Sequence, residues 1–155
     1  MTKQAVMAFS GGMDSTGLLM HLIANDYTVH TLSYDYGQKH KIELERAKAN
    51  IQYLADNNIQ VSHKIVDLQS AMSVFHSALT TEDYEIPEGH YEEEQMKQTV
   101  VPNRNAIFAS ILYGYALSIA LKEDQEVKIA LGVHSGDHAI YPDCRPEFYE
   151  ALENA

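Results

Sequence analysis

The sequence predicts an α/β fold built on a parallel sheet with helices on both of its faces. Short apolar runs of strand length alternate along the chain with longer runs whose apolar residues recur at helical spacing. Strands and helices that alternate in this way are joined by right-handed crossovers, which produce a mostly parallel sheet. Ligands of such sheets bind outside the carboxyl ends of the strands, so we expect a functional site at that edge.

The first half of the chain contains three predicted strands and two predicted helices. The strands are the short runs Gln4 to Phe9, Thr28 to Tyr34 and Val61 to Val66. A helix is predicted over Asp14 to Asn25, because leucine and isoleucine at positions 18, 19, 22 and 23 share one face. A second helix is predicted over Lys41 to Asn57, whose apolar residues recur at the same spacing.

The middle of the chain is polar and acidic. A short helix is predicted over Leu68 to Ala78. The segment from Glu82 to Glu94 then holds seven acidic residues and no basic ones. We interpret it as a solvated excursion, either a plain surface loop or a mobile lid.

The second half begins with the most apolar run of the chain, which predicts a helix over Asn105 to Lys122 that is buried on most sides. As a membrane span this run is short, and serines and a glycine interrupt it. Val127 to Val133 is the fourth predicted strand. A final helix is predicted from Pro146 to Ala155, because proline is favoured in the first turn of a helix.

Composition limits the classes of function. The length of 155 residues suits one domain, and the single cysteine, Cys144, excludes an intrachain disulfide. The N-terminus lacks the apolar stretch of a signal peptide, so we expect a cytoplasmic protein. The formal net charge of -11 disfavours binding to nucleic-acid backbones. A small anionic ligand would therefore need a local pocket of amides or basic side chains.

The segment SGGMDST, from Ser10 to Thr16, is a candidate phosphate-binding loop. Its glycines let the backbone turn tightly and approach a ligand. Loop amides and the unpaired N–H groups of the next helix would form an anion nest, to which the hydroxyls add donors. Asp14 suits either Mg²⁺ coordination or helix capping. The alternative is an ordinary glycine turn with a serine or aspartate cap.

Two further segments carry charged side chains at the end of a strand or the start of a helix. In YDYGQKH, Tyr34 to His40, Lys39 suits phosphate and His40 suits proton transfer, unless the segment is a turn with solvated side chains. VPNRN, Val101 to Asn105, opens the long apolar helix. A helix N-terminus is unfavourable for a cation, so Arg104 requires a partner there, either a ligand anion or a nearby acidic side chain.

The segment from Gly132 to Phe148, which contains YPDCRPEF, follows the fourth strand. Asp137, Asp143 and Arg145 lie on this strand-end loop, where a ligand would be bound, and the guanidinium of Arg145 suits an anionic group. The two histidines and the cysteine of this segment are alternative zinc ligands, although structural zinc sites use four. The cysteine also suits a small buried apolar position.

These four segments resemble those of known enzymes. The loop is similar to the SGGxDS signature of the N-type PP-loop ATP pyrophosphatases. The other three resemble the DYGQ[KR]H, VPxRN and YPDCR segments of the 7-cyano-7-deazaguanine synthase family, and the four span Phe9 to Phe148 in family order. The resemblance implies a Rossmann-like, adenine nucleotide alpha hydrolase-like fold, with residues 1–155 as one PP-loop nucleotide-binding domain.

The resemblance also implies a reaction and its cofactors. ATP activates the carboxylate of 7-carboxy-7-deazaguanine, ammonia converts it to an amide, and a second ATP drives dehydration to the nitrile, with Mg²⁺ on the phosphates. The resemblance gives Asp14, Lys39, Arg104 and Arg145 catalytic roles, with Asp14 also holding Mg²⁺. It places substrate contacts at His40, Asn105, Asp137, Tyr141 and Asp143. It places ATP contacts at Phe9, Ser10, Gly11, Gly12, Met13, Asp14, Ser15, Thr16, Gly17, Leu18 and Leu19.

Two departures qualify the resemblance. Family members are longer and carry a four-cysteine zinc site that this sequence lacks, so we expect a truncated or split chain and carry over no zinc site. We expect small-molecule substrates and no nucleic-acid or membrane partner. We also expect either a homo-oligomer or a complementing C-terminal chain. The rival functions are another PP-loop adenylating enzyme, such as a tRNA thiolase, and a non-enzymatic ATP-binding or subunit-interaction module. A thiolase would need a basic RNA-binding face and often catalytic cysteines.

Overall fold

The computed structural model of the chain describes residues 2–37, 41–75, 104–132 and 146–154. The strands within these ranges are Lys3–Ala8 (β1), Tyr27–Asp35 (β2), Ser62–Asp67 (β3) and Val127–Ala130 (β4). The helices are Met13–Ala24 (α1), Ile42–Asp56 (α2), Gln69–Met72 (α3), Arg104–Glu123 (α4) and Pro146–Asn154 (α5).

The described elements belong to two compact units. The first unit contains the four described strands with α1, α2 and most of α4, and it consists of Met1–Asp35, Lys41–Asp67 and Phe108–Gly132. The second unit contains α3, the start of α4 and α5, and it consists of Tyr36–His40, Leu68–Ile107 and Val133–Ala155.

The sheet of the first unit has the strand order β3-β2-β1-β4, and all of its strand pairs are parallel. β1 lies in the interior of the sheet, where Ala5, Val6 and Met7 are each 0% exposed. A continuous apolar run suits such a strand, because helices cover it on both faces. The prediction of a mostly parallel sheet is confirmed.

Helices pack on both faces of this sheet, as the sequence predicted. Side chains alternate along β2, so Val29 belongs to a core cluster with Leu19 of α1 and Leu54 of α2. On the opposite face Tyr34 stacks on Phe108 of α4, with ring centroids 4.0 Å apart. The Tyr34 hydroxyl donates to the Phe108 carbonyl oxygen at 2.8 Å, and burial raises the pKa of that hydroxyl. It therefore remains a hydrogen-bond donor at neutral pH.

β1, β2, β3, α1, α2 and α4 match their predicted bounds to within one residue at each end, and the predicted final helix is present as α5. The third helix is shorter than predicted, since it ends at Met72. The hydroxyl of Ser73, the next residue, donates to the Ser70 carbonyl oxygen at 2.6 Å. Such local side-chain bonds compete with continuation of a helix. Positions 76–78 of the predicted helix lie outside the described residues.

The fourth strand is also shorter than predicted, because it ends at Ala130. Its partner β1 ends one residue after the last pair, which joins Met7 to Ala130, so the ladder has no further partner to extend along. Val133, the predicted end of this strand, and the acidic segment Glu82 to Glu94 lie outside the described residues.

The prediction that the long apolar helix is buried on most sides is wrong for α4. Only one stripe of its residues is buried: Ala109, Leu112 and Ala116. A second apolar stripe is exposed by 63%, 49% and 76% at Tyr113, Leu117 and Leu121. One sheet face covers only one side of a helix, whatever the hydrophobicity of the other side. Among the described helices α4 alone has the length and composition of a membrane span, a test that core helices of soluble proteins also pass.

Candidate functional site

The candidate phosphate loop joins β1 to α1, at the carboxyl end of an interior strand. α1 begins at Met13 with Gly12 at its N-cap, so Asp14 lies in the first turn and does not occupy the cap position. The Asp14 side chain is exposed. A carboxylate in the first turn is favoured by the helix dipole and stays accessible to a cation.

Gly11 accounts for the path of the loop. Its φ of +79° lies in the left-handed region, which residues with a Cβ atom rarely adopt. A Cβ atom on Gly11 would lie 2.5 Å from the backbone nitrogen of Ala47 and 2.8 Å from the carbonyl carbon of Arg46. The loop therefore packs directly against the backbone of α2, and only glycine fits at this point.

Hydroxyls of the loop form a network with its own backbone. The Gly12 amide donates to Ser10 Oγ at 3.2 Å, and the Ser10 amide donates to Ser15 Oγ at 3.2 Å. The two serine hydroxyls are 3.1 Å apart. The amides and hydroxyls predicted to bind an anion are thus gathered within one short segment. They match the donors that a phosphate group accepts from.

Asn50 of α2 contacts both ends of this loop and was not singled out from the sequence. Its side-chain amide donates to the Gly11 carbonyl oxygen at 3.2 Å and to Thr16 Oγ1 at 3.4 Å. A signal was available, because Asn50 lies three residues after Ala47 and four before Leu54. It is therefore a polar residue on the buried stripe of its helix.

Other residues predicted to contact ATP have different surroundings. The side chains of Phe9 and Leu19 are 1% and 0% exposed and belong to the core cluster. Their side chains therefore stabilise the fold, which leaves only their backbone groups for a ligand.

Gly132, the first residue of the YPDCR-containing segment, lies beside the first turn of α1. A Cβ atom there would be 3.6 Å from the Asp14 carbonyl oxygen.

The segments YDYGQKH and VPNRN contact each other in the second unit. Arg104 donates a long hydrogen bond of 3.5 Å to the hydroxyl of Tyr36, and its guanidinium carbon lies 5.9 Å from the centre of that ring. The distance to the ring centre suits a cation–π contact. Tyr36 is 5% exposed, so the aromatic ring is a fixed support for the Arg104 side chain. In the first unit, Lys41 pairs with Asp35 at 3.3 Å.

Several predicted site residues lie outside the described ranges. They are Lys39, His40, Asp137, Tyr141, Asp143 and Arg145, together with the alternative zinc ligands of the last segment. Within the described ranges, histidine, cysteine, aspartate and glutamate form no group of three or more that could hold a metal ion. Asn105 is described and is half-buried at the start of α4.

A chain of hydrogen bonds joins Phe9, the residue before the loop, to neighbouring strands of the sheet. Ser33 Oγ donates to the Phe9 carbonyl oxygen at 2.5 Å, and His63 Nε2 lies 2.8 Å from the same hydroxyl. Since the serine hydrogen is used on Phe9, His63 must donate through Nε2. Burial lowers the pKa of His63, and Lys48 lowers it further. Burial also lowers the pKa of His30, although Glu123 opposes the shift.

These lowered pKa values predict a pH dependence of stability. The folded chain binds protons at His30 and His63 more weakly than the unfolded chain, whose histidines titrate near 6.5. Stability from these two residues is therefore fully present above about pH 6.5 and decreases as the pH falls through their folded pKa values. Denaturant unfolding at pH 7.5 and 5.5 measures the loss. Replacing both residues by glutamine, which can still donate a hydrogen bond, should reduce it. An unchanged loss in the double variant would contradict this assignment.

Comparison with known proteins places these features in a family context. Residues 4–155 match the family model described as "Queuosine biosynthesis protein QueC". The chain is 46% identical over 154 residues to the 7-cyano-7-deazaguanine synthase of Alteromonas mediterranea, covering 99% of this chain and 66% of that protein. It is 48% identical to the synthase of Caldicellulosiruptor bescii, covering 98% and 64%. The chain thus spans about two thirds of the length of these relatives.

Solved structures support the fold. An NH3-dependent NAD synthetase from Campylobacter jejuni matches 88% of this chain and 50% of its own, with a TM-score of 0.52 and 20% identity. A predicted subunit of tRNA methyltransferase from Methanocaldococcus jannaschii matches 97% of this chain and 62% of its own, with a TM-score of 0.51 and 16% identity. Both confirm the Rossmann-like α/β architecture that the sequence predicted.

Proposed function

This chain belongs to the QueC family, and we propose on that premise that it takes part in the ATP-dependent synthesis of 7-cyano-7-deazaguanine. The substrates in this proposal are 7-carboxy-7-deazaguanine, ammonia and ATP. The synthases to which the chain is similar support it. The observation that carries it is the loop between β1 and α1, where Gly11 has a left-handed φ and the Gly12 amide and the Ser10 hydroxyl lie together at the N-terminus of α1.

The need for ATP follows from the chemistry of the proposed substrate. A carboxylate is a poor electrophile, and hydroxide is a poor leaving group. Attack of the carboxylate on the α-phosphate of ATP replaces that leaving group by a nucleotide and releases pyrophosphate. Ammonia then displaces the nucleotide to give the amide. A second ATP activates the amide oxygen in the same way and releases pyrophosphate; the oxygen then leaves with the nucleotide, the nitrogen loses its two protons, and the nitrile remains.

The loop suits the pyrophosphate part of ATP in this scheme. The dipole of α1 favours negative charge at its N-terminus, and the hydroxyls of Ser10 and Thr16, which accept from Gly12 and Asn50, can donate their own hydrogens to a phosphate there. These neutral donors are suited to a chain with a net charge of -11, because they attract phosphate locally. Asp14 is the proposed Mg²⁺ ligand, since its exposed carboxylate lies in the same turn. Mg²⁺ would neutralise charge on the phosphates.

Arg104 is proposed to bind the substrate carboxylate or a phosphate. Its planar guanidinium can donate two parallel hydrogen bonds to either anion, while Tyr36 supports it through the aromatic ring. The family resemblance extends the proposed catalytic set to Lys39 and Arg145. It adds substrate contacts at His40, Asn105, Asp137, Tyr141 and Asp143.

A product assay tests the proposed function. The purified chain is incubated with Mg·ATP, ammonium and 7-carboxy-7-deazaguanine, and mass spectrometry follows the amide and the nitrile. The expected result is formation of both, with no product when ATP or ammonium is omitted. Binding of ATP without any product would contradict a synthase activity of this chain and would favour a nucleotide-binding module.

A further inference from the structure

Asn50 bridges the two ends of the candidate phosphate loop from a neighbouring helix. We propose that Asn50 is a positioning residue that holds this loop in the conformation required for the pyrophosphate part of ATP. The inference rests on the proposed nucleotide site and deepens it. It names a residue outside the SGGMDST segment on which that site depends.

The bond to Gly11 fixes the orientation of a peptide group. Asn50 donates to the Gly11 carbonyl oxygen at 3.2 Å. The carbonyl oxygen and the following amide hydrogen of a trans peptide point in opposite directions. Holding the Gly11 carbonyl on α2 therefore directs the Gly12 amide away from α2, where Ser10 Oγ now accepts from it at 3.2 Å. That amide is one of the donors an anion would use.

The bond to Thr16 fixes the role of a hydroxyl. Asn50 Nδ2 lies 3.4 Å from Thr16 Oγ1 and donates to it. Because the hydroxyl oxygen accepts from Asn50, its single hydrogen stays available for another acceptor. A phosphate oxygen is such an acceptor. The two hydrogens of the Asn50 amide are thus donated to two acceptors of the loop. A side chain at position 50 that can only accept would instead take the hydrogen of the Thr16 hydroxyl.

α2 is a rigid support for this contact. Ala47 is 0% exposed, Leu44 is 7% exposed and Leu54 is 6% exposed, so the helix is held by the core on the face that carries Asn50. The same helix is the one whose backbone would meet a Cβ atom on Gly11. Two features therefore hold the loop against α2. Gly11 has no side chain that would keep the two backbones apart, and Asn50 donates a hydrogen bond to the Gly11 carbonyl oxygen.

Two substitutions at Asn50 and one control test the proposal in the full chain. Asn50→Ala removes both donors, and Asn50→Asp keeps the shape of the side chain but replaces its donors by acceptors. Gln52→Ala is the matched control, because Gln52 is an exposed amide on the same helix and donates to the Asp56 carboxylate at 2.8 Å rather than to the loop. Titration calorimetry measures the binding of magnesium pyrophosphate, and thermal unfolding measures the fold.

The expected result is a graded loss of affinity at an unchanged melting temperature. Asn50→Ala should weaken pyrophosphate binding about tenfold, the size expected when hydrogen bonds that orient a charged-ligand site are lost. Asn50→Asp should weaken it further, since the new carboxylate captures the Thr16 hydrogen and repels the anion. Gln52→Ala should bind like the unaltered chain.

Three outcomes would overturn the proposal. Pyrophosphate binding by both Asn50 variants at the level of the Gln52→Ala control would remove the positioning role and leave the proposed nucleotide site intact. A loss of affinity that only follows a fall in melting temperature in both variants would make Asn50 a stability residue. Failure of the unaltered chain to bind pyrophosphate would overturn the proposed nucleotide site itself, and this inference with it.

Discussion

Gly11→Ala is expected to destabilise the chain by about 3 kcal/mol and to abolish binding of pyrophosphate. Two effects add. The φ of +79° costs an alanine roughly 1–2 kcal/mol, because its Cβ atom approaches the next carbonyl oxygen. The same Cβ atom would lie 2.5 Å from the backbone nitrogen of Ala47, so the loop or α2 must move. Denaturant unfolding measures the first result and calorimetry with magnesium pyrophosphate measures the second.

Gly17→Ala is the matched control for the effect of this substitution on stability. Gly17 lies within α1, and nothing lies within 4 Å of the position that its Cβ atom would occupy. Alanine is favoured over glycine inside a helix, so the free energy of unfolding should rise by roughly 0.5–1 kcal/mol. Equal free energies of unfolding for the two variants would contradict the close packing of the loop on the backbone of α2.

Asp14→Ala is expected to reduce ATP-dependent product formation by at least about a hundredfold while the chain remains folded. The reason is the proposed role of its carboxylate in holding Mg²⁺ on the phosphates. Loss of a first-turn carboxylate should itself cost only about 0.3–1 kcal/mol of stability, since the helix dipole is weakly stabilised by such groups. The product assay and thermal unfolding separate the two effects.

Glu43→Ala provides the control for Asp14. Glu43 is an exposed carboxylate in the first turn of α2, so its removal has the same effect on a helix dipole without altering the loop. We expect a similar change in stability and unchanged turnover. Normal turnover by a folded Asp14→Ala variant would exclude the metal-binding role of Asp14.

The elements of the first unit were predictable because local and long-range preferences agree there. The apolar run of β1 predicts a buried strand, and β1 lies in the interior of a parallel sheet. The apolar stripes of α1 and α2 supply Leu19, Leu22 and Leu54 to the core cluster that it faces. The glycine pair indicated a tight turn, and Gly11 has the positive φ that such a turn requires.

The exposure of α4 and the contacts of Asn50 and Arg104 could not be predicted, because they depend on which other parts of the chain pack against these residues. The hydrophobicity of α4 does not specify how many sides are covered, so exposure at Leu117 and Leu121 could not be read from it. The Asn50 contact joins a helix to a loop 39 positions earlier, and only packing brings them together. For Arg104 the sequence indicated a partner of some kind, but the Tyr36 ring depends on the path between two segments 68 positions apart.

The place of β1 between β2 and β4 also has a consequence for the order in which the chain folds. Lys3 pairs with Tyr27 nearby in sequence, whereas Gln4 pairs with Val127, so the two ladders on β1 close loops of very different length. Long-range pairing carries the greater loss of chain entropy and is formed more slowly. During synthesis from the N-terminus, β1, β2 and β3 are complete long before β4 leaves the ribosome. One edge of β1, the strand that leads into the phosphate loop, therefore stays unpaired until residues 127–130 have been synthesised.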